Sequence, residues 1–321
     1  MSHLTYPEAM VVGLIQGVTE LFPVSSLGHN VLIPALIGGS WAHDLNVSAD
    51  ESPYLAFIVG LHVATAIAMI AYFWRDWLRI LRGFFSSLAQ RRVETTDQRL
   101  AWMIIAATIP VGIAGLALEH LFRVVFSKPI PTALFLAANG VILLAGERLR
   151  RRPRPAAVDE PAVHDPVIDD AVADDEEQFD GNEVAVAMAA DRRLARVGFR
   201  QAVVLGSSQV LALLPGISRD GIVMVTGMLR GLSREDAARF SFLLSAPVIL
   251  AAGALKVPDL MGPLGNGIRG QVLAGSVLSG VGAYLSLRFL VRYFRQSRPL
   301  TPFGVYCLLA GLGSVIYLSV R

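Results

Sequence analysis

Long apolar runs alternate along the chain with short basic loops. A bilayer core of about 30 Å takes about 20 apolar residues per spanning helix. Six stretches meet that length: 54–74, 100–118, 130–147, 235–256, 270–291 and 302–320. Two further apolar stretches are broken in the middle. Residues 7–38 carry Gln16, Glu20, Pro23, Ser25, Ser26, Gly28 and His29 there, and residues 198–229 carry Gln209, Pro215, Gly216, Ser218, Arg219, Asp220 and Gly221. Irregular backbone at membrane depth survives only where it is buried in protein or lines a wet cavity. Each broken stretch is therefore read as a re-entrant helix pair that goes in, turns, and leaves on the same side. A single kinked spanning helix is the competing reading.

The order is then broken pair, three spans, linker, broken pair, three spans. The expected class is an all-α integral membrane protein with six transmembrane helices plus two re-entrant hairpins. Its units are a first repeat at 1–150, an acidic disordered linker at 151–197 and a second repeat at 198–321. The centres also match, Pro23-Val24-Ser25-Ser26 against Pro215-Gly216-Ile217-Ser218. An odd number of spans per unit inserts the second unit upside down, the inverted-repeat build in which broken helices meet near the midplane.

Composition agrees. Hydrophobic residues make up 54 % and charged residues 17 %, against about 25 % charge in ordinary soluble domains. Mean hydropathy is +0.54. The net charge of +2 points to no nucleic acid partner. All basic residues but Lys128 and Lys256 are arginine, and 22 of the 28 fall in the loops of one side against 5 on the other, with Arg219 left over. The positive-inside rule makes the arginine-rich side cytoplasmic. A multi-pass membrane location follows, with the linker cytoplasmic. No cleavable signal peptide is expected, because Glu8, Gln16 and Glu20 interrupt the first apolar stretch. The linker is read as disordered because Asp, Glu, Pro and Ala dominate it and few of its residues are large and apolar. The single cysteine, Cys307, is read as a small packing residue.

Gln16 and Glu20 are four apart and share a helix face. That face ends at a turn with two hydroxyls (Ser25, Ser26), a glycine (Gly28) and a histidine (His29). An ionisable residue inside a membrane segment is costly and marks a functional site. In the second motif, Arg219 needs an anion at membrane depth, and its planar fork suits phosphate oxygens. Gly216, Ser218 and Gly221 let backbone N–H groups turn toward the same anion. The structural alternative is an Arg219–Asp220 or Arg219–Glu20 pair. Anion donors, hydroxyls, an acid/base in His29 and carboxylates for a divalent cation together suit phosphoryl chemistry.

These motifs resemble those of the bacterial undecaprenyl-diphosphatase, or bacitracin-resistance, family. The first is similar to E-G-x-T-E-x-x-P-V-S-S-x-G-H and the second to P-G-x-S-R-S-G. A third stretch, Gly231-Leu232-Ser233-Arg234 through Phe240-Ser241-Phe242-Leu243-Leu244 to Pro247, is similar to G-x-S-R…F-S-F-L-L-x-x-P. Phe57 through His62 to Phe73-Trp74-Arg75 also fits. The resemblance covers the chain except 153–191. It implies cleavage of undecaprenyl diphosphate to the monophosphate, a divalent cation (Mg²⁺ or Ca²⁺), and a site open to the outer face. It implies catalytic roles for Glu20, Ser26, His29 and Arg219, with Ser26 as nucleophile or phosphate ligand and His29 as its acid/base partner. Substrate contacts are expected from Ser25, Gly28, Gly216, Ser218, Arg219, Gly221 and Arg234, and metal ligation from Glu20, Gln16 and Asp220. The sequence departs from the family at Gln16, where a glutamate is expected, and at Asp220 and Val223, where a serine and a threonine are. A non-catalytic polyprenyl-phosphate carrier or flippase is the alternative reading.

The arginine bias makes a topology prediction. A reporter fused after Arg321 reads as extracytoplasmic and one inserted near Asp170 as cytoplasmic; both on one side overturns the inverted repeat.

Overall fold

The computed structural model describes residues 4–45, 53–121, 128–150, 188–195, 197–262 and 267–320. All regular structure among them is helical. The first broken stretch forms α1 (Tyr6–Leu21) and α2 (Ser26–Ile37), followed by the short α3 (Gly39–Asp44). Next come α4 (Pro53–Tyr72), α5 (Trp74–Gln90), α6 (Thr96–Leu121) and α7 (Pro129–Arg150). A helix α8 covers 188–195. The second broken stretch forms α9 (Phe199–Ser208), a 3₁₀ turn (Gln209–Leu213) and α10 (Arg219–Leu229). Three long helices close the chain: α11 (Arg234–Met261), α12 (Arg269–Arg295) and α13 (Thr301–Val320).

Among the described residues, α6, α7, α11, α12 and α13 are each long and apolar enough to cross a membrane, and α4 with α5 makes a sixth only if that bent pair is counted as one span. Their outward faces carry large apolar side chains such as Ile113, Leu116, Leu309 and Ile316. Both broken stretches break at a proline. Pro23 follows the end of α1, and its missing N–H and fixed φ cannot continue a helix. Thr5 and Glu8 form a capping box at the other end of α1, satisfying donors that the first turn leaves open.

The helices pair as α1 on α12, α7 on α13, α6 on α9, and α4 on both α11 and α12. Lipid is as apolar as leucine, so close backbone approach holds such pairs together and small residues line them. A Cβ on Gly13 would meet the Gly275 carbonyl oxygen at 2.3 Å, and one on Gly17 that of Ser279 at 2.2 Å. On α9, a Cβ at Gly206 would meet the Ala107 oxygen at 2.0 Å.

Two parts of the chain differ from expectation. Residues 74–90, read as an arginine-bearing loop, are helix α5, turned 86° from α4. Its apolar stripe, Trp74, Leu78, Leu81, Phe85 and Leu88, is exposed. No run of 20 apolar residues marks it, because an amphipathic helix of this kind spreads its hydrophobicity over one stripe. The end of the linker is also ordered: α8 buries Ala190, Asp191, Leu194 and Ala195. Asp191 is ion-paired to Arg79 of α5 at 2.6 Å and to Arg239 of α11 at 2.9 Å. Opposite charges distant in sequence neutralise it. Residues 151–187, the rest of the linker but for 196–197, lie outside the described residues.

The glycine contacts predict a clean contrast. Gly17→Val forces α1 off α12 and costs roughly 1–3 kcal/mol or more. Gly115→Ala, with nothing within 4 Å of its Cβ position, leaves stability unchanged or raised, since alanine favours helix. Thermal unfolding in detergent separates the two.

Candidate functional site

The two broken stretches meet tip to tip. Ser25, the N-cap of α2, has φ 70°, a left-handed conformation that costs a non-glycine residue strain. Its hydroxyl oxygen accepts from Gly28 N–H within its own helix and from Gly216 N–H of the other stretch, each at 3.2 Å. Gly216 has φ 113°, and a Cβ there would strike the Thr132 carbonyl oxygen at 2.5 Å, so only glycine serves. Asn139 of α7 ties both tips: its Nδ2 donates to the Pro23 carbonyl at 3.0 Å, and its Oδ1 accepts from Ser218 N–H at 3.0 Å. The Ser218 hydroxyl caps α10 by accepting from Gly221 N–H. Two helix N-termini, of α2 and α10, thus start side by side, and each favours negative charge. Asn139 stands midway along the 22-residue α7, which puts the site near the middle of a span.

Glu20 is the hub. Its Oε2 accepts from Gln16 Nε2 at 2.8 Å, from the Ser26 hydroxyl, and from His62 Nε2 at 3.2 Å. Its Oε1 accepts from Arg219 Nη2. Because a carboxylate can only accept, Gln16 must turn its amide nitrogen to Glu20, and its Oε1 then accepts from Asn30 Nδ2 at 2.6 Å. Gln16, Glu20, Ser26 and Arg219 are brought together as expected, with the Arg219–Glu20 pair present. Arg219 Nε is buried with no acceptor.

Other expected residues are placed elsewhere. His29 Nδ1 faces the Ser25 carbonyl at 2.7 Å and must donate to it, while its Nε2 lies 2.7 Å from the Tyr306 hydroxyl, with the rings stacked. His29 is therefore not joined to Ser26, whose hydroxyl is bonded to Glu20. Asp220 turns to α11, where its Oδ1 accepts from Ser241 at 2.7 Å and Ser245 at 2.6 Å. Its Oδ1 is held by α11, and among the described residues no three of His, Cys, Asp and Glu are grouped to hold a metal ion. Arg234 is ion-paired with Glu147 and donates to the Ser297 carbonyl. Glu147 is eight residues past Asn139 on α7, about 12 Å along the axis, so Arg234 anchors the end of α11 instead of touching the site. Val223 is buried in the apolar core.

Sequence reasoning missed His62, Asn139 and Tyr306 as site residues. Each is a lone polar residue in a plain span, and its helix position alone does not say which neighbour it meets. For His62 there was a signal, since an ionisable residue in an apolar run is rare.

The chain matches the family described as bacitracin resistance protein BacA over residues 9–313. It is 62 % identical over 320 residues, all of this chain and 99 % of the relative, to undecaprenyl-diphosphatase of Mycolicibacterium paratuberculosis. It is 56 % identical to undecaprenyl-diphosphatase 2 of Frankia alni, with 97 % of both chains covered. To undecaprenyl-diphosphatase 2 of Chromobacterium violaceum it is 38 % identical, over 97 % of this chain and 98 % of that one. With its apolar spans and its motif tips in contact, this chain is a multi-pass membrane protein that belongs to the bacitracin resistance protein BacA family.

Proposed function

We propose that the chain is a membrane phosphatase that converts undecaprenyl diphosphate to undecaprenyl phosphate and inorganic phosphate, recycling the lipid carrier of cell-wall synthesis. One observation carries the mechanism: the Ser26 hydroxyl and the Arg219 guanidinium converge on a single buried carboxylate, Glu20. A hydroxyl hydrogen-bonded to a base, beside an anion-binding fork, is the arrangement that nucleophilic phosphoryl transfer requires.

Arg219 and the N-termini of α2 and α10 hold the terminal phosphate. Ser26 Oγ attacks its phosphorus, and the proton of the hydroxyl goes to Glu20. The bond from that phosphorus to the bridging oxygen breaks, and undecaprenyl phosphate leaves with the bonding pair. Glu20 passes that proton to the leaving oxygen. Water then attacks the phosphoserine and gives a proton to Glu20. The bond from phosphorus to Ser26 Oγ breaks, and Oγ takes the proton back from Glu20 as phosphate leaves. Direct attack by water would use the same base. His29, held by Tyr306, orients the start of α2. The expected divalent cation enters no step of this scheme.

The finer architecture belongs to the same reading. Six spans and two re-entrant pairs form an inverted repeat, which the pairing of helices supports. The pairing of α1 with α12 across the halves has its counterpart in that of α9 with α6, while α7 with α13 and α4 with α11 pair like with like. The arginine-rich side is cytoplasmic in an inner membrane, the site opens outward, and α5 lies along the inner interface with its apolar stripe in lipid.

Purified protein given undecaprenyl diphosphate releases phosphate. Arg219→Lys keeps the charge but loses the planar fork, and the rate falls on the order of 10²-fold. Near-normal turnover would make Arg219 structural. If wild type binds the lipid diphosphate and releases no phosphate, the carrier reading replaces this one.

A further inference from the structure

Helix α5 turns a half-exposed apolar face away from the protein. At 3.6 residues per turn its sides separate cleanly. Asp76, Ile80, Gly83 and Ser87 share the inner side and are buried. A Cβ on Gly83 would meet the Asp97 carbonyl carbon at 2.8 Å, and the Ser87 hydroxyl oxygen accepts from Trp102 Nε1 of α6 at 2.9 Å. Trp74, Leu78, Leu81, Phe85 and Leu88 form the opposite side and are 42–64 % exposed.

The outward charge of this helix has one sign. Arg75 and Arg82 are seven residues apart, so they share one shoulder of the stripe, about 90° round the helix from its centre. Both are exposed, as are Arg91, the C-cap, and Arg92 after it. The carboxylate of the helix, Asp76, lies on the inner side, held by Arg79 at 2.6 Å and Arg239 at 3.0 Å. Glu94, beyond the helix, faces Arg92 at 3.6 Å with both side chains mostly exposed, a contact that water weakens. Arginine stays protonated in proteins, so the row is positive at any working pH. The Arg75 guanidinium lies over the Trp74 ring, 5.2 Å from its centre, and joins the row to the stripe.

We propose that α5 is a binding surface for anionic phospholipid at the arginine-rich end of the molecule. Acyl chains pack on the stripe, and headgroup phosphates are taken by Arg75, Arg82, Arg91 and Arg92, whose planar forks match phosphate oxygens. The placement of α5 in the interface, given above, asks only for hydrocarbon. The arginine shoulder adds a choice of headgroup: phosphatidylcholine balances its phosphate with a cation of its own, and an anionic lipid does not. A second copy of the chain suits this face less well. Two copies in one membrane are related by an axis along the membrane normal. Their α5 helices would then run antiparallel, with the arginine shoulders side by side.

The test is independent of what the tips catalyse. The full chain is reconstituted in bilayers of phosphatidylcholine and phosphatidylglycerol, with bromine on the acyl chains of an equal amount of one lipid or the other. Quenching of Trp74 is read as the difference between the chain and its Trp74→Phe variant. Brominated phosphatidylglycerol quenches Trp74 about twofold or more as strongly as brominated phosphatidylcholine. Arg82→Gln, Arg91→Gln and Arg92→Gln together remove most of that difference while both lipids still quench. Lysine at the same three positions keeps most of it, because the charge remains. Equal quenching in wild type overturns the proposal. So does quenching by neither lipid, which would set the stripe against another protein chain. Inorganic phosphate added at constant ionic strength leaves the preference unchanged; loss of the preference would mean that the arginines take free phosphate, and lipid selection would fail. Thermal melting shows whether the variants are folded. If the triple variant is not, Arg82→Gln alone still lowers the preference, and an unchanged preference in it overturns the proposal.

Discussion

In the middle of a bilayer no water completes a hydrogen-bond shell, and a charge that lacks internal partners costs several kcal/mol. Glu20 meets that constraint with four donors drawn from four places: Gln16 on its own helix, Ser26 on the next, His62 on α4 and Arg219 on α10. Each donor fixes the element that carries it. The carboxylate therefore sets the angle of α1 to α2, the rotation of α4, and the approach of the second tip to the first. Removing any one donor leaves a buried charge underpaired, which is more damaging than losing one contact between neutral groups.

The backbone around this hub obeys the same rule. A chain that breaks its helix in lipid must find partners for the freed N–H and C=O groups. Ser25 and Asn139 supply them, one by bridging Gly28 and Gly216, the other by bridging Pro23 and Ser218. The positive φ of Ser25 is strain retained for that purpose, because it lets one hydroxyl serve both tips. The same bonds aim the N-termini of α2 and α10 at one point, so satisfying the backbone and preparing an anion site are a single arrangement.

What the sequence revealed depended on the range of the signal. Apolar runs and broken centres report local solvation, so α6, α7, α11, α12, α13 and both broken stretches were legible. So was the meeting of Gln16, Glu20, Ser26 and Arg219, because a buried arginine demands an acidic partner and the motifs held few. The stripe of α5 was diluted by its arginines, and α8 was hidden in an acidic segment whose Asp191 finds Arg79 and Arg239 only after folding. His29 was assigned to the hub by the family resemblance, and Asp220 by its carboxylate. Helix direction decides otherwise: each lies on the far side of a turn from the residue it was meant to meet, and bonds to α13 or α11 instead.

Two ionic clusters in the chain show how charge balance separates structure from function. At the arginine-rich end, Arg79 and Arg239 interlock with Asp76, Asp97 and Asp191. There two arginines meet three carboxylates, so the cluster has no surplus positive charge to offer an anion. It ties α5, α6, α8 and α11 together. At the hub the balance is open: an arginine and a histidine converge on one carboxylate, two helix N-termini add partial positive charge, and an arginine N–H has no acceptor. Such an excess is unfavourable at membrane depth when the site is empty, since low dielectric magnifies an uncompensated charge. It becomes favourable when a phosphate enters. The free energy that the fold forgoes by leaving the hub underbalanced is then available to bind the anion, which explains why a cluster of this kind occurs at the tips and a closed one at the arginine-rich end.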